Sequence, residues 1–392
     1  MKKVILLNIP SKKKEKNCSR EFCFFILLLL KSSFIFGQQT YVNKVWEGTV
    51  GTMGSVNKTS SILDSENNLI VASNSNNGSF GTSDIVVTKY SSEGIMLWQQ
   101  FFNGSANGND YAVQVEVNEF DEILVGAAID EGFGLDFGVI KYSSIGQLIF
   151  SVTWDSGNNL VDLPSDIGID ISGSIYIIGG SQSISGEMDY AIVKFNSDGN
   201  YQWHTFYDYV SLQDFATGMV IKENSLSVTG NSASALNNWD FATLELDLDY
   251  GTILNVNRVE IGGIGFDKAA AIVLDSQDNI FITGYVEISG NRDIQTIKLN
   301  ANFELDWIKS YDGGFEDIAS AIAVDASGSI YVVGAKENSA GGKDFLTIKY
   351  DQLGNELWVR EFGSEGNDDI AFAENLAIRD NGDLFATGSL DK

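Results

Sequence analysis

Downstream of residue 40, apolar residues fall into short runs rich in Val, Ile, Phe and Tyr, each closed by Gly, Asn, Asp or Ser, and no stretch holds the 3.6-residue spacing of an amphipathic helix. Two hairpin patterns alternate along the chain. In one, an aspartate opens a β-prone strand, a glycine-centred turn follows, and a second strand carries a large aromatic. It reads DIVVTKYSSEGIMLW from Asp84, DFGVIKYSSIGQLIF from Asp136 and DYAIVKFNSDGNYQW from Asp189, with looser copies from Asp240, Asp293 and Asp344. These starts are 52, 53, 51, 53 and 51 residues apart. The turn glycines are Gly94, Gly146, Gly199, Gly251 and Gly354, and the aromatics Trp98, Phe150, Trp203, Trp307 and Trp358; Asn255 stands in the aromatic place once, and Phe303 in a glycine place. The other hairpin is clearest at residues 317–335, with small residues early and β-branched or aromatic residues late. Its further copies begin at Asp110, Asp162, Asp214, Asp267 and Asp369, with a degenerate one over residues 56–73.

Four short strands in every repeat of about 52 residues predict one propeller blade per repeat. The small-residue hairpin occurs seven times and the Asp-to-aromatic hairpin six, while Trp46 keeps phase 52 residues before Trp98. The expected fold is therefore all-β: a seven-bladed β-propeller of four-stranded antiparallel blades. Its last blade would be closed from outside by an N-terminal strand at residues 41–48, which removes the open edge where the chain ends meet. The strand between would start beyond the last residue, so either that blade is one strand short or the chain is a fragment. The repeated aromatic is read as packing between blades, where it can bury about 150–250 Å².

Residues 1–37 differ from the rest. Basic residues are followed by an apolar run at 22–30 and a small-residue end at Gly37, the order of a secretory signal peptide, with cleavage expected before Gln38. The run is shorter than the roughly 20 apolar residues a spanning helix needs, and Lys31 interrupts it, so no membrane span is expected in the mature chain 38–392. Both cysteines, Cys18 and Cys23, lie in this leader, which excludes disulfides and thiolate chemistry from the mature part. The leader holds eight of the 25 basic and two of the 53 acidic residues, leaving 17 against 51, a net charge of −34. Such a surface repels nucleic acid and favours cations or basic partners.

At these residues the chain resembles the seven-bladed β-propeller repeat family called SBBP. Asp84, Lys89, Tyr90, Gly94 and Trp98 fit the first part of its repeat, and Asp317, Ala319, Ile322, Asp325, Gly328, Ile330 and Gly334 the second. The resemblance covers about residues 41–389. It implies a scaffold in an exported bacterial protein and brings no catalytic residues. The residues around the cleavage site are similar to those of exported Bacteroidetes proteins, which implies a secreted or outer-surface location.

Two aspartate series recur with the blades. Asp110, Asp162, Asp214, Asp267, Asp317 and Asp369 open first strands, and Asp84, Asp136, Asp189, Asp240, Asp293 and Asp344 open third strands. Alternating strand direction puts both on one face of the disc, together with the connections that vary most, at 74–83, 130–135, 232–239 and 336–343. One reading is that each carboxylate caps backbone amides of its own loop. The sharper one is that the inner series, Asp110 to Asp369, binds Ca²⁺ or another hard cation. A third set, Asp64, Asp170, Asp275 and Asp325, falls in turns on the opposite face and reads as turn chemistry, since Asn118 and Lys222 hold equivalent places. His204 is the only histidine, which removes imidazole triads and multi-histidine metal sites. The function expected is non-catalytic recognition or scaffolding by a monomer that binds a protein or glycan through the variable-loop face. The competing expectations are a glycosidase or lyase with carboxylates at the channel mouth, and a structural spacer in a longer surface protein.

Overall fold

The structure is a computed structural model and describes residues 4–9, 43–44, 59–75, 83–157, 159–235, 238–260, 265–362, 369–378 and 384–391. No helix occurs among the described residues. Blade 1 comprises Thr59–Leu63, Leu69–Ser75, Asp84–Tyr90 and Met96–Phe102; blade 2 comprises Tyr111–Val117, Ile123–Asp130, Leu135–Tyr142 and Leu148–Trp154. Blade 3 is Asp162–Ile169, Ile175–Gln182, Met188–Phe195 and Tyr201–Tyr207, and blade 4 is Asp214–Ile221, Ser225–Ala235, Asn238–Asp247 and Ile253–Val259. Blade 5 is Lys268–Leu274, Ile280–Ile288, Asn291–Leu299 and Leu305–Tyr311; blade 6 is Asp317–Val324, Ile330–Glu337, Lys343–Tyr350 and Glu356–Phe362. Each is an antiparallel meander in chain order, and first strands of successive blades lie side by side. The alternation of hairpins in the sequence becomes this alternation of strand pairs.

Six blades of the repeating kind are seen, against seven expected. Strands near the two chain ends pair in a further sheet, in the order Asn43–Lys44, Val4–Ile9, Leu384–Asp391, Asp369–Ile378. It departs from the repeat: its outermost strand is two residues long, and the pairing of Asp369–Ile378 shifts register twice. The third-strand place expected to be empty is taken by Val4–Ile9, whose Leu6 and Leu7 stand opposite Thr387 and Ala386. This corrects the expectation of a three-stranded last sheet. The run VILLNI reads as part of the leader because of its charged neighbours, yet its β-branched and leucine residues satisfy a strand equally well. The expected outer strand at 41–48 is described only at Asn43–Lys44, and Trp46 lies outside the described residues.

Every first strand of blades 2 to 6 shifts register near its start, as at Ala319/Ala321. Pro164, the only proline in a described strand, sits at such a bulge, where its missing N–H costs nothing. The bulge draws the first strand onto the second: a Cβ added at Gly334 would lie 2.1 Å from the Ile318 carbonyl oxygen. That contact explains the glycine closing the second-strand pattern.

The core is divided among the seams between blades rather than pooled at the centre. One cluster joins Ile70, Ile85 and Val87 of blade 1 to Val115, Val125 and Ile140 of blade 2, and comparable clusters fill the later seams. Four of the five seams between blades 1 to 6 are pinned at the outer end by the same device. The fourth-strand aromatic of one blade lies over the turn glycine of the next: a Cβ on Gly146 would sit 2.8 Å from the Trp98 ring, on Gly199 2.9 Å from Phe150, on Gly251 2.5 Å from Trp203 and on Gly354 3.0 Å from Trp307. These glycines also have φ between 68° and 82°, a backbone region that a side chain disfavours. The indole N–H groups of Trp98, Trp203 and Trp307 donate to the carbonyls of Ser144, Leu248 and Gln352 in those turns, each at 3.2 Å. The repeated lysines reinforce two of them, Lys89 reaching Ser144 at 3.0 Å and Lys194 reaching Leu248 at 2.8 Å.

The two breaks in the repeat fall in one seam and compensate each other. Asn255 replaces the aromatic of blade 4, and the facing turn of blade 5 carries Phe303 in place of glycine. Phe303 takes φ 65°, is 5% exposed, and packs with Phe241, Val259 and Ile297. The ring has crossed the seam. Phe303→Gly should therefore cost about 3 kcal/mol by the loss of a buried ring, and adding Asn255→Trp should recover part of it, with a coupling energy of about 1–2 kcal/mol. Urea denaturation of both single variants and the double measures this coupling; strict additivity would remove the compensation.

Candidate functional site

The two rims of the blade array differ in how their connections are built. On one rim, eleven of the twelve turns within blades 1–6 are five residues long, the exception being residues 222–224. Most of these turns are held by a leading Asp or Asn whose side-chain oxygen accepts two amides, as Asp64 does from Glu66 and Asn68, Asp170 from Ser172 and Ser174, Asp275 from Gln277 and Asn279, Asp325 from Ser327 and Ser329, and Asn118 from Phe120 and Glu122. The third aspartate set is thus turn chemistry, as its pattern suggests. On the other rim, connections run from two residues at 289–290 to eight at 103–110.

Both longer aspartate series lie on this irregular rim, and they meet in pairs across the seams. The third-strand aspartate of one blade faces the first-strand aspartate of the next: Asp84 with Asp110, Asp136 with Asp162, Asp189 with Asp214, Asp240 with Asp267, and Asp293 with Asp317. The first-strand members Asp110, Asp162, Asp214 and Asp317 are fully buried, and Asp267 is nearly so. In three seams a further carboxylate from the connection between blades joins the pair. One oxygen each of Asp136, Asp155 and Asp162 lie within 4.8 Å of one another, as do those of Asp189, Asp208 and Asp214, and of Asp293, Asp312 and Asp317. Sequence reasoning missed Asp155, Asp208 and Asp312, which shift from seven to five residues ahead of their first-strand partners as the connection shortens. The recurring DxG or DxxS turn start at those positions was the available signal. Asp369 opens a described strand, and its side chain is not among those described.

The first-strand aspartates do not all bond alike. Asp110 accepts the Gly104 amide at 2.6 Å and the Asp130 amide at 3.0 Å, one on each oxygen, and Asp267 accepts the Glu287 amide at 3.0 Å. In blades 3, 4 and 6 the residues equivalent to Asp130 and Glu287 are Gln182, Ala233 and Glu337, whose amides go instead to the carbonyls of Val161, Gln213 and Glu316. There the strand pairing reaches the aspartate itself, with Asp162 opposite Ser181, Asp214 opposite Ser232 and Asp317 opposite Lys336. Backbone amides reach one oxygen only, from Ser156 at 2.8 Å to Asp162 and from Tyr209 at 2.7 Å to Asp214, with Gly313 donating to Asp317; the side chains of Ser181 and Ser232 also act on Asp162 and Asp214. Oδ1 of Asp162, Asp214 and Asp317 has no hydrogen-bond partner.

Crowding and burial shift these carboxyls upward. Burial, followed by the charges of Asp155, Asp162, Glu131 and Asp130, brings Asp136 to about 7. Burial likewise brings Asp189, Asp214 and Asp317 to about 6, in Asp214 against the pull of Ser232, the Tyr209 amide and Arg258. Burial brings Asp267 to about 7 despite the Glu287 amide, with Asp240 and Glu287 adding repulsion. Between blades 4 and 5 the charge is answered within the protein, Arg258 pairing with Asp240 at 3.2 Å and stacking on Tyr209 with its guanidinium carbon 3.7 Å from the ring centroid. His204 instead lies against Trp154 and Phe206, its Nδ1 2.8 Å from the Tyr201 hydroxyl. A shallow depression on the same rim is lined by polar Ser156, Ser181, Ser183 and Asp189 and by apolar Leu160, Ile184 and Phe206.

No family model matches the chain, and no curated protein matches it. Solved structures do. The chain is similar to Sqt1 of Chaetomium thermophilum at 11% identity and a TM-score of 0.55, over 90% of this chain and 85% of that one. It is also similar to the quinohemoprotein alcohol dehydrogenase of Comamonas testosteroni at 11% identity and a TM-score of 0.50, over 82% of this chain and 65% of that one. Both are β-propellers, and at this identity the likeness shows the fold: the chain is a β-propeller.

Asp267 gives a pH test. An unfolded aspartate loses its proton near pH 4, roughly, while folded Asp267 keeps it to about 7. Through that window the folded chain binds the extra proton, so this group's contribution to stability is full below the window and falls as pH rises. Asp267→Asn should preserve the Glu287 contact, flatten that slope, and stabilise the protein at slightly alkaline pH by about 1–3 kcal/mol, with little change in acid. Urea melts across the range measure it; parallel pH profiles would contradict the raised value.

Proposed function

We propose that the chain is an exported recognition or scaffold module that binds a protein or glycan through its irregular rim. The observation that carries this reading is the contrast between the rims: one is built from near-identical five-residue turns, while connections on the other vary from two to eight residues. Variation confined to one edge of a regular scaffold is the arrangement in which recognition loops are found. That rim also exposes Phe133, Ile184, Phe206 and Phe315, at 76, 83, 41 and 47%. Beside Phe206, Leu160 and Ile184, the residues Ser156, Ser181, Ser183 and Asp189 line the depression, a mixture of apolar and polar residues that suits a sugar or a peptide.

We take the sheet formed by the chain ends as the seventh blade of an SBBP-type ring; Asp369–Ile378 lies beside both Asp317–Val324 and Thr59–Leu63, which supports closure. Export and the Val4–Ile9 strand bear on each other. Cleavage after Gly37 removes that strand and leaves the Leu384–Asp391 edge open to another one. The N-terminal residue of protein recovered from outside the cell decides this, with Gln38 expected and Met1 contrary to it.

Binding is tested on a glycan array and by pulldown with extracellular proteins, beside a screen for polysaccharide cleavage. Phe206→Ala should weaken the ligand found by at least about tenfold, in the range of a lost aromatic contact, while Ile171→Ser, exposed on the opposite rim, should leave it unchanged. Equal effects of both variants would remove the rim assignment, and turnover abolished by Asp136→Asn would replace binding with catalysis.

A further inference from the structure

Three of the five seams between described blades gather three carboxylates, and the other two do not. We infer that those three seams each hold a divalent cation, calcium by the chemistry of the donors, at Asp136–Asp155–Asp162, Asp189–Asp208–Asp214 and Asp293–Asp312–Asp317.

The first support is geometric. One oxygen from each member lies within 4.8 Å of the other two, the span of two oxygens on opposite sides of a calcium ion at about 2.4 Å. All donors are oxygens of hard carboxylates, with no His or Cys, a set that selects calcium or magnesium over transition metals. Three carboxylates fill less than half of calcium's six to eight positions, leaving room for water and carbonyl oxygen.

The second support is independent of the clustering. Asp162, Asp214 and Asp317 are 0% exposed, and each keeps Oδ1 without a hydrogen-bond partner, as do Asp84 and Asp240 in the two seams without triads. A buried carboxylate oxygen left bare is costly, and the fold shows that it can avoid the cost. In blade 2 the strand pairing begins one residue later, at Tyr111, and the freed Asp130 amide satisfies the second oxygen of Asp110. In blade 5 pairing begins at Lys268, and the Glu287 amide reaches one oxygen of Asp267. Blades 3, 4 and 6 spend that amide on the ladder instead, and these are the blades that complete a triad.

The two seams without triads show what replaces the ion. Between blades 1 and 2 the place of Asp155 is held by neutral Asn103, and both oxygens of Asp110 take amides, while Oδ1 of Asp84 stays without a partner. Between blades 4 and 5 the Arg258 guanidinium meets Asp240, so a protein cation stands at the seam. In the triads the nearest basic groups are already engaged: Lys336, near Asp317, contacts Glu361 at 2.6 Å, and Arg258, near Asp214, is held by Ser232 and Asp240. A cation at each triad would join the third strand of one blade, the connection, and the first strand of the next, fastening the seam at the end opposite the aromatic contact.

Calorimetric titration of the protein with calcium alone, at physiological ionic strength and near-neutral pH, tests the inference. Three saturable sites are expected, with dissociation constants of about 10⁻⁴–10⁻³ M, as in extracellular calcium modules, together with a rise in melting temperature. Asp155→Asn, Asp208→Asn and Asp312→Asn change exposed carboxylates and leave the buried ones in place, so folding should survive; each should remove one site, and the triple variant all three. Glu119→Gln, Asp198→Asn and Asp249→Asn, exposed on the opposite rim, should leave three. Absence of saturable binding at about 10 mM calcium, or equal losses in both variant sets, would overturn the assignment and point to a diffuse counterion layer. Neither result depends on finding the protein or glycan ligand.

Discussion

The contact on which the molecule turns is a flat aromatic side chain laid over a glycine of the neighbouring blade. A four-stranded sheet has two faces to cover, and each blade here covers them only against its neighbours, so burial is divided into separate clusters, one per seam. Stability in such an array is set by nearest-neighbour terms. The ring-on-glycine contact fixes how closely adjacent sheets approach at the outer edge, and the indole and lysine hydrogen bonds to the same turn fix their angle. Carbonyls that would otherwise face solvent at a turn become the anchor points of the preceding blade.

The fold was legible because its two defining signals are local. Strand and turn residues repeat at a constant interval, and glycine or aspartate is required wherever the backbone turns tightly. Relations between blades were harder to read. Asn255 and Phe303 register in the sequence as two unrelated losses from a pattern, and only the packing of one blade on the next makes them a single exchange. The pairing of Asp136 with Asp162, or Asp189 with Asp214, likewise needs the third strand of one repeat to meet the first strand of the next. The third carboxylates, Asp155, Asp208 and Asp312, escaped notice because the connections that carry them differ in length, and a search at fixed spacing loses them. Val4–Ile9 was masked by the basic and apolar residues that follow it, which read as a leader regardless of what the first ten residues do.

The irregular rim concentrates an electrostatic load that the opposite rim disperses. Turn aspartates such as Asp170 and Asp325 are held below the usual carboxylate range by hydroxyl and amide donors once burial has been offset, and Asp64 by the Lys89 ammonium as well. Across the disc, burial and repulsion between paired aspartates act the other way. Carboxyls of one residue type thus hold their protons at quite different acidity on the two edges of a single blade. A chain this acidic has no general supply of lysine and arginine to relieve the load, and Arg258 is used at one seam where it can do so.

The exchange of Asn255 and Phe303 carries a consequence for ancestry. Propellers grow by copying and recombining units, which is easy while every junction is alike. Here blade 5 offers a bulky, left-handed phenylalanine where the other turns offer a flat floor, so it can follow only a predecessor that has given up its own ring. Duplication or shuffling across this junction would leave either two rings competing for one space or none to fill it.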